Sequence, residues 1–326
     1  MLPIIFLCLL GFEFYHKKKI LYDFSKLQVS ILVNIILLNV THNIFTFIFL
    51  LATQDVKGWI KINGGIKFWK RVSVLFVILI SFFLIILYYS KNNPIYLLLF
   101  TLINFSFAAH HALSQIFGLS LIYNKNLNVK NKIFIKVERL IYHSFLVINL
   151  IAGNLFFIAS SKMTFFDMNN YQKMHFYFYT FLLGNAFVLI IFPLILDLRN
   201  GLNKAIFNIR YIFWPFSLLS SFAAFATMAL HGIEYAFVIG KLTHLSKLIR
   251  PLFSLFLIFL VIVFGVVRIK GLQSIYGNGR ITSIFLVVTA ISVAFSFLHY
   301  YLDRKLFRMS KEENRAFLGE MLSRKI

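Results

Sequence analysis

The sequence predicts an all-α protein, a polytopic bundle of about nine transmembrane helices followed by a C-terminal interfacial helix. Hydrophobic residues make up 60% of the 326 residues and charged residues only 13%, against roughly 45–50% and ~25% in soluble domains. This composition leaves too little polar surface to cover a soluble globule. Eight charge-free runs are also long enough to cross a bilayer, because a spanning helix needs about 20 apolar residues. The single cysteine, Cys8, excludes a disulfide scaffold.

The predicted spans follow one another along the whole chain, each bounded by charged residues. The eight charge-free runs are 27–54, 72–90, 92–124, 140–161, 174–196, 211–233, 251–267 and 281–302. The ninth span is the N-terminus, Met1 to about His16, where an apolar run precedes a lysine cluster, the reverse of a signal peptide. Short loops, including 125–139 and 199–210, connect the spans and leave no room for a soluble domain.

The chain therefore divides into a transmembrane bundle, 1–302, and a basic amphipathic tail, 303–326. The tail contains a capping box, in which Ser310 and Glu313 satisfy each other's backbone N–H groups. One face of the helix that follows is apolar and the others are basic, which is typical of a membrane-surface anchor.

The strong positive charge is interpreted as membrane anchoring. Lys and Arg number 33 against 11 Asp and Glu, a net charge of +22. The basic residues lie in short loops between apolar runs, so the predicted partner is the lipid bilayer and not nucleic acid. Lys and Arg divide almost evenly between the two sides of a nine-span arrangement, so the positive-inside rule assigns no orientation.

Three predicted spans each carry a narrow polar stripe that includes a histidine. The helical period of 100° per residue places the members of each stripe on one face. The stripes are Asn104, His111, Gln115 and Gly118; Ser220, Thr227, His231 and Tyr235, with Glu234 to one side; and Ser292, Ser296, His299 and Asp303. Polar side chains facing lipid are costly, so these stripes are expected to face the interior of the bundle.

Imidazole and carboxylate groups together suit iron, zinc, copper or manganese. His231 and Glu234, at i,i+3, have the spacing of the Glu-x-x-His pairs of di-iron bundles in reversed order. His299 and Asp303, at i,i+4, either chelate jointly or form a histidine–carboxylate pair that orients the imidazole. The predicted metal ligands are His111, His231, His299 and Asp303, with His110 as a further candidate about 100° around the helix from His111.

Three other side chains are predicted to act beside the metal, whose predicted identity is iron. Glu234 is expected to be a further ligand or a partner of one, while Gln115 and Tyr235 would orient substrate or oxygen. Depth is a difficulty, because counting at ~1.5 Å per residue sets His111 about 24 Å from the membrane face that His231 and His299 approach. Convergence therefore requires tilted helices, or a last helix that continues beyond residue 303.

Three spaced motifs carry a resemblance to known sequences. They are H-x-x-x-Q-x-x-G-x-x-x-x-Y at 111–123, H-x-x-E-Y at 231–235 and H-Y-x-x-D at 299–303. In this order, over roughly residues 100–310, they resemble segments of a set of uncharacterised bacterial polytopic membrane proteins. The basic run 304–308 departs from that set, which continues with Gly and then Ile-Trp-Lys/Arg. The resemblance implies a multi-pass protein of the bacterial inner membrane and implies no activity.

The distribution of histidines over several spans is also faintly similar to the Brp/Blh-type membrane β-carotene dioxygenases, although no motif aligns residue by residue. The leading functional hypothesis is a membrane-embedded non-haem iron oxidoreductase or oxygenase. Its substrate would be apolar and lipid-like: an acyl chain, isoprenoid or carotenoid. One alternative is a transporter or proton-coupled carrier with an intramembrane histidine–carboxylate relay. Another is a haem-b electron carrier with His111 and His231 as axial ligands.

Overall fold

A computed structural model describes residues 64–90, 92–126, 132–161, 168–217 and 283–306, together with residues 3, 4, 8, 60, 61, 223, 227, 230 and 231. This part of the chain is helical and contains no strand, which confirms the all-α prediction for it. The helices are α1 (Ile66–Ser90), α2 (Pro94–Asn126), α3 (Lys132–Ser160), α4 (Met168–Leu196), α5 (Leu198–Asn208), α6 (Phe213–Phe216) and α7 (Ser283–Leu306). A 3₁₀ turn, Ile209–Ile212, joins α5 to α6.

Four of these helices, α1 to α4, are long and apolar enough to cross a membrane. They correspond to the predicted spans 72–90, 92–124, 140–161 and 174–196. Helix α7 includes residues 283–302 of the predicted span 281–302 and continues to Leu306, past the predicted domain boundary at 303. The predicted spans 27–54 and 251–267, most of the N-terminal span, about half of the span 211–233, and the tail after 306 lie outside the described residues.

Two predicted loops are wrong where the structure describes them. Helix α3 begins at Lys132, inside the predicted loop 125–139, and α5 occupies most of the predicted loop 199–210. Both predictions assumed that a charged residue marks the end of a membrane helix. In α3 the helix continues through exposed Lys136 and Arg139, so these charges do not end it. Glu138 and Lys204 lie buried against each other, so their charges are compensated within the protein.

The chain forms two compact units. The first comprises Met1–Ile31 and Thr101–His231, and the second comprises Leu32–Phe100 and Gly232–Ile326, with one boundary inside α2. In the second unit, α7 packs along α1 through aromatic pairs, among them Phe76 with Phe295 and Phe83 with Phe297, whose ring centroids lie 4.6 and 4.8 Å apart. In the first unit, α2, α3, α4 and the turn after α5 share one apolar core.

Helices α2 and α3 of the first unit are joined by three polar contacts. The hydrogen-bonded pairs are Ser106–Asn154, Ser114–Tyr142 and Asn124–Glu138, at 2.9, 3.0 and 2.9 Å. The residue number rises on one helix as it falls on the other, so the two helices are antiparallel. Each such bond contributes on the order of 1 kcal/mol in a membrane, where water does not compete for the same groups.

The joint between α4 and α5 is built around Pro193. Proline has no N–H, so the carbonyl of Leu189, four residues earlier, has no helical donor. The side-chain amide of Asn208 donates to this carbonyl at 2.6 Å. Asp197 separates the helices and caps α5, because its carboxylate accepts from the backbone N–H of Arg199 at 3.1 Å. The joint thus turns the chain while its backbone groups remain hydrogen-bonded.

Candidate functional site

The first unit brings two of the predicted metal ligands together. His111 lies on α2 and His231 is the last residue of the unit, and each is 8% exposed. Their ring centroids are 5.5 Å apart and the rings are nearly perpendicular, at 85°. This is an edge-to-face contact between two buried imidazoles. Two imidazoles 120 positions apart in the sequence are therefore in contact inside the first unit.

The neighbours of His111 on α2 divide between the interior and the surface. Gln115, one turn further along, is buried on the same side as His111. His110 is exposed, as the 100° step between adjacent helical residues requires. The helix therefore presents His111 and Gln115, but not His110, to the interior of the unit.

The second unit holds the other predicted ligand pair on α7. His299 and Asp303 are both buried, and His299 Nε2 lies 3.5 Å from Asp303 Oδ2. Ser292 and Ser296, the remaining members of the predicted stripe, are buried on the same face, and Ser296 donates to the carbonyl of Ser292 at 3.2 Å. A carboxylate that accepts the second ring N–H of a metal-bound imidazole fixes the orientation of the ring and raises its basicity.

Of the other predicted site residues, Glu234 and Tyr235 lie outside the described residues, as does Ser220. Thr227 is buried, and its hydroxyl donates to the carbonyl of Ala223 at 2.8 Å, so this hydroxyl already has an acceptor. Of this stripe, His231 is therefore the described residue that remains a candidate ligand.

A buried ion pair that the sequence analysis did not anticipate lies near the end of the first unit where α2 ends and α3 begins. The Lys204 ammonium, 0% exposed, donates to Glu138 Oε1 and to Asn124 Oδ1. Asn124 Nδ2 donates to the other carboxylate oxygen of Glu138 at 2.9 Å, which closes a ring of three side chains. Burial lowers the pKa of Lys204, and the negative charge of Glu138 partly offsets that effect.

A sequence signal for this ion pair exists. Glu138 is the only acidic residue between Asp55 and Asp167. It is surrounded by basic residues, and its neighbours Lys136 and Arg139 are exposed. A lone carboxylate among cations is a candidate partner for one of them, but nothing in the local sequence identifies Lys204, 66 residues away.

Arg210 is a second buried cation of the first unit. Its guanidinium lies 3.6 Å from the centre of the Phe207 ring, and its Nε donates to the Phe207 carbonyl at 2.7 Å. The imidazole pair, Arg210 and the Lys204–Glu138 pair all belong to the first unit.

Comparison with protein-family models, curated proteins and solved structures found no match. Two buried imidazoles in contact and a buried histidine–carboxylate pair are nitrogen and oxygen donors suited to a first-row transition metal. Buried ionisable groups within apolar helices are costly, and by default they indicate function.

Proposed function

We propose that this chain is a multi-pass protein of the bacterial inner membrane, crossing it about nine times, and that it is a metal-dependent membrane oxygenase. The observation that carries the proposal is the contact between the buried rings of His111 and His231. Imidazoles in this setting bind a divalent metal when neutral, and a metal offsets the cost of burying them. The substrate class that fits an apolar helical bundle is a lipid-like molecule entering from the bilayer.

In this proposal His111, His231 and His299 are ligands of one iron ion. Asp303 is a further ligand or holds the His299 ring in place. Gln115, one turn from His111, and Tyr235 orient the substrate, and Glu234 is an additional ligand or a partner of one. When bound, Fe(II) with histidine and carboxylate ligands and open positions supplies the activation of dioxygen.

The ring contact favours a small ion over haem. A haem held by two histidines needs the imidazoles on opposite faces of the porphyrin. His111 and His231 instead touch edge to face, with 5.5 Å between centroids. This spacing suits two ligands on adjacent positions of one metal ion better than axial ligands of a macrocycle.

Metal binding to the purified full-length protein tests the proposal. After anaerobic loading with Fe(II) and removal of excess metal, the wild type is expected to retain about one ion per chain. His111→Gln, His231→Gln and His299→Gln are each expected to lose it. Asp303→Asn is expected to weaken binding by about 10–100-fold, because partners that orient a ligand contribute about that much to metal affinity. The readouts are metal content and the ligand-field spectrum of the Co(II)-loaded protein.

Two exposed histidines provide matched controls for the loading experiment. His110→Gln and His143→Gln remove imidazoles from α2 and α3 that the described structure places at the surface, and both are expected to bind metal as the wild type does. Wild-type protein that retains no transition metal would overturn the proposal. Loss of bound metal in the His111 and His231 variants but not in the His299 variant would contradict one ion shared by the three histidines.

A second candidate, a proton-coupled carrier, is favoured by the buried Lys204–Glu138 pair, because paired ionisable groups inside a membrane bundle are typical of proton pathways. In vesicles with an internal pH indicator, a carrier moves protons across the bilayer when a pH gradient is applied. The oxygenase proposal predicts no such movement above that of vesicles without protein, and the carrier predicts movement that Glu138→Gln abolishes.

A further inference from the structure

Helices α3 and α5 both run antiparallel to α4, so their first turns lie at the same end of the first unit. For each helix, two contacts with α4 show this, because the residue number rises on one partner as it falls on the other. The contacts are Phe134–Phe192 and Phe156–Tyr171 for α3, and Gly201–Pro193 and Asn208–Leu189 for α5. We call residues 132–140 and 198–204 the α3–α5 end.

Three exposed cations of the α3–α5 end lie at nearly the same depth. Glu138 and Lys204, which are in contact, are each six residues beyond the first residue of their helix, so the two helices begin at the same level. Arg199 is one residue, Lys136 four and Arg139 seven residues beyond the start of its helix, and all three are exposed. At ~1.5 Å per residue they lie within about 9 Å along the helix axes. This range is close to the thickness of one headgroup layer, roughly 5–8 Å.

Exposed apolar side chains lie among these cations. On α5, Leu198 and Leu202 are 76% and 52% exposed, and on α3, Ile133 and Leu140 are 68% and 67% exposed. A cluster of large apolar side chains outside the protein core indicates contact with a membrane or a partner. Aliphatic side chains interspersed with Lys and Arg are typical of the membrane interface, where acyl chains meet headgroups.

The acidic residues of this end do not balance its exposed cations. Glu138 is the only acidic residue of α3, and its two carboxylate oxygens accept from Lys204 and Asn124. Helix α5 has no acidic residue. Asp197, just before it, accepts from the backbone N–H of Arg199 as the cap of α5. With Glu138 and Lys204 cancelled, Asp197 balances one of the three exposed cations, which leaves a net charge of +2.

We propose that the α3–α5 end binds the headgroups of anionic phospholipids, with Lys136, Arg139 and Arg199 on the phosphates and the exposed leucines among the acyl chains. This inference rests on the membrane location in the proposed function and is independent of the metal chemistry. An anionic lipid supplies the missing negative charge, and a guanidinium binds phosphate through two parallel N–H bonds. A zwitterionic lipid carries its own cation, so the site favours anionic headgroups.

The competing occupant of this surface is a second copy of the chain. A symmetric dimer places the same patch of each copy against the other. That arrangement would bring the exposed cations of one copy against those of its partner, and like charges in contact are costly. The excess of positive charge therefore favours lipid.

The test is native mass spectrometry of metal-free, full-length protein that is delipidated in detergent and mixed with phosphatidylglycerol or phosphatidylcholine of the same acyl chains. The wild type is expected to bind its first phosphatidylglycerol molecule at least tenfold more tightly than phosphatidylcholine. Arg139→Gln and Arg199→Gln are each expected to weaken phosphatidylglycerol binding about fivefold, the fold-change that corresponds to about 1 kcal/mol per basic residue near an anionic surface. Both side chains are exposed, so the substitutions leave the core unchanged.

The matched control is Lys173→Gln, which removes an exposed cation of the first unit near the start of α4. Lys173 lies about 35 Å along that helix from Leu196, where α4 ends beside α5. The control is expected to bind phosphatidylglycerol as the wild type does. Equal affinity of the wild type for the two lipids overturns the proposal, and so does equal weakening by the control. A wild-type dimer that binds lipid only after dissociation also overturns it.

Flotation of the wild type with phosphatidylcholine liposomes tests the membrane location separately. Protein that floats with these liposomes but shows no preference for phosphatidylglycerol would contradict the lipid site and leave the membrane location intact. Because both measurements use metal-free protein, neither outcome changes the result of the metal-loading experiment.

Discussion

Glu138→Leu is expected to lower the free energy of unfolding by about 3–5 kcal/mol, the cost of breaking a buried ion pair by removing one partner. The reason is the position of Lys204, which is 0% exposed. Without the carboxylate, its ammonium keeps only Asn124 as a described partner while remaining out of water. The measurement is equilibrium unfolding of the detergent-solubilised protein in denaturant, followed by far-UV circular dichroism.

The double variant Glu138→Leu/Lys204→Met separates charge from packing. Replacing both members of a buried pair with apolar residues of similar volume is often neutral or stabilising, so the double variant is expected to recover most of the lost stability. Lys136→Met, which removes an exposed charge two residues from Glu138 on α3, is the control and is expected to change stability by less than about 0.5 kcal/mol. A single variant as stable as the wild type would show that Lys204 is not held by Glu138.

The same ion pair shows where sequence analysis of the fold succeeds and where it fails. The helical structure of the spans follows from their apolar composition, because a backbone in lipid must satisfy its own hydrogen bonds. The sequence analysis places the ends of spans at charged residues, but exposed Lys70 and Arg71 lie within α1, and exposed Lys136 and Arg139 lie within α3. The buried charge of Glu138 is compensated by Lys204, 66 positions away. A pairing over that distance is a property of the tertiary fold and leaves no periodic pattern in the sequence.

For the predicted site, helical periodicity predicts which side chains are buried, but counting residues does not predict how deep they lie. Helical periodicity assigns His111 to an inward stripe and His110 to another face, and the structure buries the first and exposes the second. The depth of His231 in the membrane does not follow from counting residues, because the count assumes that the span containing His231 begins at the membrane interface. Residues 210–215 are buried inside the first unit instead, and the rings of His111 and His231 come within 5.5 Å. From composition alone, a buried segment that leads into a helix cannot be distinguished from a loop at the membrane interface.

Gly201→Ala is expected to destabilise the first unit by about 1–3 kcal/mol, the range for overpacking a filled site. A Cβ at position 201 would lie 2.1 Å from the carbonyl oxygen of Pro193 and 2.6 Å from its carbon. These are backbone atoms at the α4–α5 joint, so no side-chain rotation relieves the contact. The joint must open, and α5 carries both Lys204 and Asn208. Thermal unfolding of the variant is the measurement.

Gly184→Ala is the matched control, because Gly184 lies within α4 and a Cβ there meets nothing within 4 Å. Alanine is expected to stabilise this position by about 0.5–1 kcal/mol, since it loses less conformational entropy than glycine in a helix. The two identical substitutions should therefore have opposite signs. If Gly201→Ala is also stabilising, the close approach of α5 to Pro193 does not exist in the folded protein, and the burial of Lys204 that depends on that approach must be explained by a different packing of α5.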